Sequence, residues 1–363
     1  GTGPSVDHTT GTVQGYYMYT EGITMFNGAY TNYESTNFQR TGPACRLNFW
    51  YHMYGRHQGH LSLAIWTGFR HKDVLWSTSG NLRAQSDYWR LGSAFIGTRY
   101  NFSISFEQIR GGGELSDVAI DDIQFINCAA PKTIQACTAS QFTCKNRNCV
   151  PLNAACDDAN NCGDNSDEVG CPMYNGDCDF ETSMCNWKNT GGDKLDWTHH
   201  SGSTPTLSTG PRYDHTLGYV LGHYMYIEAS VPHNNTDYAL LVTDTYYPPT
   251  TDGNCHIRFY YHILGYGSGW LALYTETNTS IRTNVWTTYS HQGNIWHRAD
   301  VIVDSTEPYR FVFNGTIVTH VYNDFALDDI SLTKGCIEGS PQVCPAGQWY
   351  CTKSKICIDS RQV

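Results

Sequence analysis

Two stretches of this 363-residue chain are copies of one another, offset by 207 positions. Val13–Tyr19 (VQGYYMY) returns as Val220–Tyr226 (VLGHYMY), and Thr2-Gly3-Pro4 and Asp7-His8-Thr9 return as Thr209-Gly210-Pro211 and Asp214-His215-Thr216. Ala119–Ile123 (AIDDI) returns as Ala326–Ile330 (ALDDI), and Cys137 and Cys144 return as Cys344 and Cys351. Cys45–His52 (CRLNFWYH) answers Cys255–His262 (CHIRFYYH) at an offset of 210. A repeat this long means one large unit plus one small unit, stacked along the chain. The first large unit lacks a counterpart of residues 178–207, and the last small unit stops after three cysteines, so the phase reads as a window on a longer array.

The 15 cysteines are grouped rather than spread. Six fall within residues 137–171, while residues 46–127 and 186–254 have none. No CxxC occurs, which removes the common zinc and thioredoxin-like patterns and leaves disulfides in an oxidising compartment. Four N-x-S/T sequons, at Asn101, Asn234, Asn278 and Asn314, agree with an extracellular glycoprotein. The net charge of −11, with no Lys/Arg cluster, excludes a nucleic-acid surface. No apolar run reaches the ~18–20 residues that span a bilayer.

The small unit, residues 137–171, is too short to bury a sufficient core without disulfides or a metal. After Cys156 it gathers Asp157, Asp158, Asn161, Asp164, Asp167 and Glu168, with no Lys or Arg among them. Such a crowd of oxygens suits calcium, which takes six to eight hard oxygen ligands. With Phe142 before Cys144 and Ser166-Asp167-Glu168 before Cys171, the segment resembles an LDL-receptor class A module. The resemblance implies the pairs Cys137–Cys149, Cys144–Cys162 and Cys156–Cys171. It implies a structural calcium ion held by side chains of Asp157, Asn161, Asp167 and Glu168 and by backbone oxygens of Ala154 and Ala159. Two departures stand out: Asn161 where that family usually has Asp, and Ala154 where it usually has the Trp that helps cradle a ligand lysine. The resemblance then implies that the structural role of the ion is kept and that lysine capture is impaired. Residues 344–363 begin a second such module, in which Cys344 would pair with Cys357.

Residues 178–336 read as short alternating strands, such as Arg310–Phe313 and Leu271–Tyr274, separated by Gly, Pro, Asn and Asp. Strands are expected at 219–228, 238–243, 256–261, 270–274, 297–303, 309–314 and 325–332, which makes an all-β antiparallel sandwich. Cys178-Asp-Phe-Glu181, Cys185-Asn-Trp187, Asp196-Trp197 and Leu327–Ile330 before Cys336 resemble a MAM domain, a jelly-roll module of adhesion proteins and receptors. The resemblance covers 178–336 and, without its opening, 1–128. It implies the pairs Cys178–Cys185, Cys255–Cys336 and Cys45–Cys128. Asp179, Glu181 and Asp329 have two readings: ligands of a cation, or acids that satisfy turn backbone groups and hydrogen-bond a buried Trp.

No HExxH, GxSxG or Walker motif is present, and a non-catalytic protein is expected. His52, His57, His60, His199 and His200 are expected as surface or strand-face side chains. The Tyr-rich stretches alternate and would place half their rings on an outer face, open to glycans or a neighbouring module. The tandem arrangement resembles proteins built of MAM and LDL-receptor class A domains. It implies an extracellular, self-associating structural or adhesive protein whose calcium-stiffened modules form a rod, matrix or filament through contacts with other copies or extracellular proteins. The alternatives are the non-catalytic arm of a membrane-bound serine protease and an endocytic or scavenger receptor ectodomain.

Overall fold

The computed structural model describes residues 1–22, 30–55, 60–67, 71–78, 87–109, 115, 117–130, 136–206, 209–229, 236–248, 254–265, 268–289, 292–319, 323–338, 348–351 and 356–359. Among them no α-helix occurs. The large units are two-sheet antiparallel sandwiches, the form in which strands with one apolar face bury it against another sheet.

In the first sandwich, β1 (Met18–Thr20) is followed by β2 (Tyr30–Glu34), β3 (Phe38–Arg40), β4 (Arg46–Met53), β5 (His60–Thr67), β6 (His71–Ser77), β7 (Arg90–Phe95), β8 (Tyr100–Ile109) and β9 (Val118–Ile126). One sheet has the order β1-β9-β4-β7; the other is β2-β8-β5-β6, with β3 also on β8. Alternation along β4 sends Leu47 and Phe49 inward, where they meet Leu63, Ile65, Phe102 and Phe106. The small unit holds only the hairpin of β10 (Gln141–Thr143) and β11 (Cys149–Pro151) and one helical turn, Leu152–Ala154. Its apolar centre is Cys144, Val150 and Cys162 with Phe142 and Ala154 beside them.

The second sandwich runs through β12 (Lys188–Asn189), β13 (Thr198–Ser201), β14 (His223–Ile227), β15 (Tyr238–Val242), β16 (Tyr246–Tyr247), β17 (Cys255–Gly265), β18 (Ser268–Thr277), β19 (Arg282–Tyr289), β20 (His297–Val303), β21 (Tyr309–Thr319), β22 (Asn323–Leu332) and β23 (Ile337–Glu338). Its sheets are β13-β14-β22-β17-β20 and β12-β15-β21-β16-β23, with β18 on β21 and β19 on β18. Phe259, Phe313, Leu271, Leu273, Trp187 and Trp197 fill the space between them. The strands expected from alternation are present, and β17, β18 and β21 run several residues further than expected. β19 was not foreseen: its half-exposed Thr-Asn-Val-Trp-Thr-Thr pattern offers no clean apolar period.

The ends of the second sandwich meet in an isolated bridge, Cys178 N–H to Ile330 O at 2.8 Å and Ile330 N–H to Cys178 O at 2.9 Å. Disulfides join Cys45–Cys128, Cys137–Cys149, Cys144–Cys162, Cys156–Cys171, Cys178–Cys185 and Cys255–Cys336. Beyond residue 338 the backbone of β24 (Gln348–Cys351) pairs with β25 (Ile356–Asp359). The expected Cys344–Cys357 pair lies outside the described residues.

Phe259 is fully buried, with ring centroids 4.8 Å from Phe313 and 5.0 Å from Trp286. Truncating it leaves a cavity between the sheets, so Phe259→Ala is expected to destabilise the second sandwich by about 3–5 kcal/mol in urea unfolding. A change under 1 kcal/mol would show that the two sheets do not share this core.

Candidate functional site

The six disulfide-clustered residues of the small unit enclose a loop that turns sharply at Cys156 and Asp158, both at positive φ. The loop's carboxylates are held by its own backbone. Glu168 accepts Asp157 N–H at 3.0 Å and Asp158 N–H at 3.1 Å, and Asp167 Oδ2 accepts Asn161 N–H at 2.7 Å and Cys162 N–H at 3.0 Å. The other oxygen of buried Asp167, Oδ1, has no hydrogen-bond donor. Burial pushes the carboxyls of Asp157 and Glu168 above their ordinary range; Arg298 pulls Asp157 part of the way back. A dication among them would reverse that direction.

Asp157, Asp167 and Glu168 supply carboxylate oxygens, Ala154 and Ala159 carbonyls, and Asn161 an amide oxygen. By chemistry this all-oxygen donor set is of the kind calcium takes, and Asp167 Oδ1 has no donor; the three carboxylates are not themselves gathered into a metal-holding group. One feature departs from a ligand set: the Asn161 Nδ2 amide donates to Ala154 O (3.2 Å), Asp157 Oδ1 (2.8 Å) and Ala159 O (3.0 Å).

The repeated Asp-Asp pair forms a second centre, once in each sandwich. β9 and β22 each carry a register shift opposite β4 and β17, and there Asp122 and Asp329 take positive φ (48° and 41°). A β-bulge needs such a residue, and Asp tolerates it better than a β-branched side chain. The first Asp of each pair turns toward a loop: Asp121 Oδ2 accepts His8 N–H at 2.8 Å and Asp328 Oδ2 accepts His215 N–H at 2.6 Å. The second meets the histidine ring, His8–Asp122 at 2.7 Å and His215–Asp329 at 2.6 Å. The rings lie flat on an aromatic of the neighbouring strand, His8 on Trp50 at 3.8 Å and His215 on Tyr260 at 3.4 Å. Around this, Thr2–Asp117 and Thr209–Asp324, each 2.7 Å, and Trp89 to Val6 O and Trp296 to Tyr213 O recur at the same offset. Thr2, His8, Thr209 and His215 fall in the repeated segments, whereas Asp117, Asp324, Trp89 and Trp296 carried no motif.

Glu181 accepts His223 N–H at 2.9 Å, and burial with the nearby Asp214 pushes its carboxyl up to about 7. Asp179 Oδ1 accepts Glu181 N–H at 3.1 Å. The acids therefore serve backbone and histidine groups. The buried Trp187 donates instead to Gly176 O at 2.9 Å. Among the described residues no three His, Cys, Asp or Glu side chains form a metal-holding group.

His52 on β4 and His60 on β5 are strand-face side chains. His52 and His60 are buried, each 1% exposed, and His52 bonds Asp87 at 3.0 Å. His199 and His200 bond the carbonyls of Phe180 and Ser203. His57 lies outside the described residues. The aromatic face is open in the first copy, where Tyr16, Met18 and Tyr19 are exposed, and closed in the second, where Tyr224 and Tyr226 pack beside Trp296. Of the sequon residues, Asn101 and Asn278 are exposed, Asn314 is half-buried within β21, and Asn234 lies outside the described residues.

Residues 1–129 and 178–337 match the family model "MAM domain, meprin/A5/mu". The chain belongs to the MAM family. Residues 135–171 match "Low-density lipoprotein receptor domain class A". The chain is 34% identical over 165 residues to MAM domain-containing glycosylphosphatidylinositol anchor protein 1 of Gallus gallus, covering 44% of this chain and 17% of that one. It is 31% identical over 169 residues to MAM domain-containing protein 2 of Mus musculus, covering 46% and 24%. The chain thus spans a quarter or less of the length of these relatives. Among solved structures, the K1 cleaved adhesin domain of Lys-gingipain from Porphyromonas gingivalis W83 is similar at 16% identity and a TM-score of 0.32, covering 43% and 96%.

The LDL-receptor class A module is wedged between the two MAM domains. Alternation on β17 turns Arg258 and Tyr260 outward beside Arg298 of β20. These three take successive carbonyls of the acidic loop: Arg258 Nη1 donates to Cys156 O (2.7 Å), Arg298 Nε to Asp157 O (3.0 Å) and Tyr260 OH to Asp158 O (2.6 Å). On the other side Tyr100 OH donates to Asn146 O (3.1 Å) and Arg99 to Asn160 O (3.4 Å). Gly163, at φ +78°, sits so close to Thr98 O that a Cβ would lie 1.7 Å from it.

The MAM domains also touch directly. Lys72 Nζ, paired with Glu107 at 2.6 Å, lies 4.0 Å over the Tyr213 ring, and a cavity of about 280 Å³ lies at this junction. Contacts therefore join first and third modules as well as chain neighbours.

Arg258 and Arg298 are partly exposed, so each charged hydrogen bond contributes on the order of 1 kcal/mol after solvent screening. Arg258→Ala with Arg298→Ala is expected to loosen the three-module unit, seen as a larger radius of gyration in X-ray scattering at unchanged MAM-domain stability. An unchanged radius would show that these contacts do not set the geometry.

The two MAM copies are expected to answer pH oppositely. Burial pushes Asp324 up to about 6 despite its bond from Thr209. At the equivalent Asp117, burial is outweighed by hydrogen bonds from Gly22 and Thr2, leaving it below the ordinary range. Because folded Asp324 keeps its proton up to about 6 while the unfolded chain releases it near 4, stability from this group falls as pH rises between those values. Calorimetry should show the second domain's melting temperature dropping from pH 4.5 to 6.5, with a flatter profile in Asp324→Asn. An identical slope in that variant removes Asp324 as the cause.

Proposed function

We propose that this chain is part of an extracellular, calcium-stabilised glycoprotein with a structural or adhesive role, its MAM and LDL-receptor class A modules repeating as the building block of a rod, matrix or filament. The observation that carries this reading is the position of the calcium loop. Its three carbonyls at 156–158 are the surface that MAM-domain arginines and a tyrosine grip, so an ion that shapes the loop also shapes the contact between modules. Asp157, Asp167, Glu168 and Asn161 with the carbonyls of Ala154 and Ala159 would hold the ion, whose part is to neutralise the crowded carboxylates.

The similarity to MAM domain-containing proteins supports a surface or extracellular place and a non-catalytic role. Exposed Asn101 and Asn278 are open to glycosylation. Ala154 in place of the lysine-cradling Trp favours a spacer over an endocytic receptor. The partners are other copies or extracellular proteins, recognised through module surfaces. The contact between first and third modules packs one repeat and the start of the next into a compact three-body unit rather than a string of beads.

The test is electron microscopy and light scattering of the native glycosylated protein, with calcium and with a chelator. Large rods or filaments that come apart on chelation are expected. A single monomeric species under both conditions would overturn the structural reading and direct attention to the protease-arm and receptor alternatives.

A further inference from the structure

The outer face of the sheet formed by β15, β21 and β18 carries an N-x-S/T sequon at its centre. Phe311 and Phe313 of β21 lie in the core between the sheets, so the alternate residues Val312, Asn314 and Thr316 face outward. Asn314 stands opposite Leu240 on β15 and Ala272 on β18. One row along the sheet Tyr238 and Trp270 flank Thr316, and one row the other way Tyr274 flanks Val312. Leu240, Val242 and Val312 form an apolar cluster of their own on this face, with half-buried Tyr238 and Tyr274 packed against it. Asn314 is half-buried among them, and the Thr316 hydroxyl lies 2.9 Å from its side-chain amide. The contacts described above between the second MAM domain and the other modules come from β17 and β20, in the opposite sheet, and from the Tyr213 loop.

The first MAM domain shows what the same position does without a sequon. Leu63 faces Phe106 as Leu273 faces Phe313, which puts Glu107 in the place of Asn314. Glu107 is buried there, bonded to Lys72 at 2.6 Å, and Lys72 lies 4.0 Å over the ring of Tyr213 from the other MAM domain. In the first copy this face is therefore roofed by protein. In the second copy it sets aromatic rings around a glycosylation acceptor. A pyranose ring presents C–H groups on one face and hydroxyls at its rim, so it can cover an aromatic surface while its polar edge stays in water.

We propose that Asn314 carries an N-linked glycan whose first N-acetylglucosamine units pack against Trp270, Tyr274 and Tyr238, covering this face as the neighbouring domain covers its counterpart in the first copy. The inference rests on the extracellular glycoprotein reading given above. Attachment forms a bond from the Asn314 amide nitrogen to the anomeric carbon of the sugar, breaks that carbon's bond to the diphosphate of a lipid-linked oligosaccharide donor, and releases one amide proton. Because Asn314 is half-buried in a central strand, this transfer precedes the pairing of β21. Asn278, in the exposed turn between β18 and β19, is the comparison site.

The test uses the full chain secreted from eukaryotic cells that make high-mannose glycans, as wild type, Asn314→Gln and Asn278→Gln. Glycopeptide mass spectrometry reads occupancy at each sequon, and calorimetry reads the melting of the second MAM domain. Wild type is also measured after an endoglycosidase has trimmed each glycan to a single N-acetylglucosamine. Asn314 is expected to be occupied, and Asn314→Gln to melt about 3 °C below wild type. Asn278→Gln and the trimmed protein should melt with wild type, since the first sugar makes the contact. Carbon-13 labelling of the sugars gives a readout that does not depend on secretion of Asn314→Gln: ring currents should move at least one N-acetyl methyl resonance upfield in wild type and in Asn278→Gln. An empty Asn314 beside an occupied Asn101 or Asn278 would overturn the inference and leave the glycoprotein reading standing. An occupied Asn314 whose loss leaves the melting temperature unchanged, or N-acetyl methyls that all resonate as in a free glycan, would overturn the packing. No glycan at any sequon would overturn both.

Discussion

The bulged aspartate pair is the interaction on which each sandwich depends. A sheet strand cannot by itself fasten a long loop, because its backbone groups are already used by neighbours. By inserting one extra residue, β9 and β22 free an aspartate at positive φ, and two adjacent carboxylates then face the loop that carries His8 or His215. The histidine is pinned between acid and aromatic, and in the second copy that aromatic, Tyr260, also reaches out to Asp158 of the small module. One local irregularity therefore links loop, sheet and neighbouring domain.

The small module shows the opposite economy. It has almost no apolar interior, so disulfides fix its loops and the surrounding domains supply what a core would. Its acidic loop is shared: the carboxylates of Asp167 and Glu168 turn inward onto the loop's own N–H groups while backbone carbonyls turn outward toward Arg258, Arg298 and Tyr260. A segment that gathers its acids on one face and offers its carbonyls to a neighbour with the other couples the two by geometry, without any long-range signal.

The pattern of residues made the architecture readable because two independent periodicities carried it. Strand alternation gives the sandwiches, and the 207-residue offset marks their boundaries. β19 escaped because a strand on the sheet's edge, half wet on both faces, has no apolar period to display. The acids of the 157–168 loop were legible from density and spacing, whereas the pairing of Thr2 with Asp117 and of Thr209 with Asp324 was not, since the partners lie over a hundred residues apart. The burial of His52 and His60 was likewise invisible, because a histidine on a strand reads the same whichever face becomes the interior.

By itself the chain's sequence determined the kinds of module, their order, the cysteine groups and the crowding of oxygens at 157–168. These follow from local spacing, and local spacing is written in the order of residues. Tertiary structure alone decided which outward side chains of β17 and β20 meet the acidic loop, that first and third modules touch at Lys72 and Tyr213, and that the Asn161 amide reaches three oxygens at once. Contacts of that kind depend on how folded surfaces are brought together in space, and no periodicity along the chain encodes them.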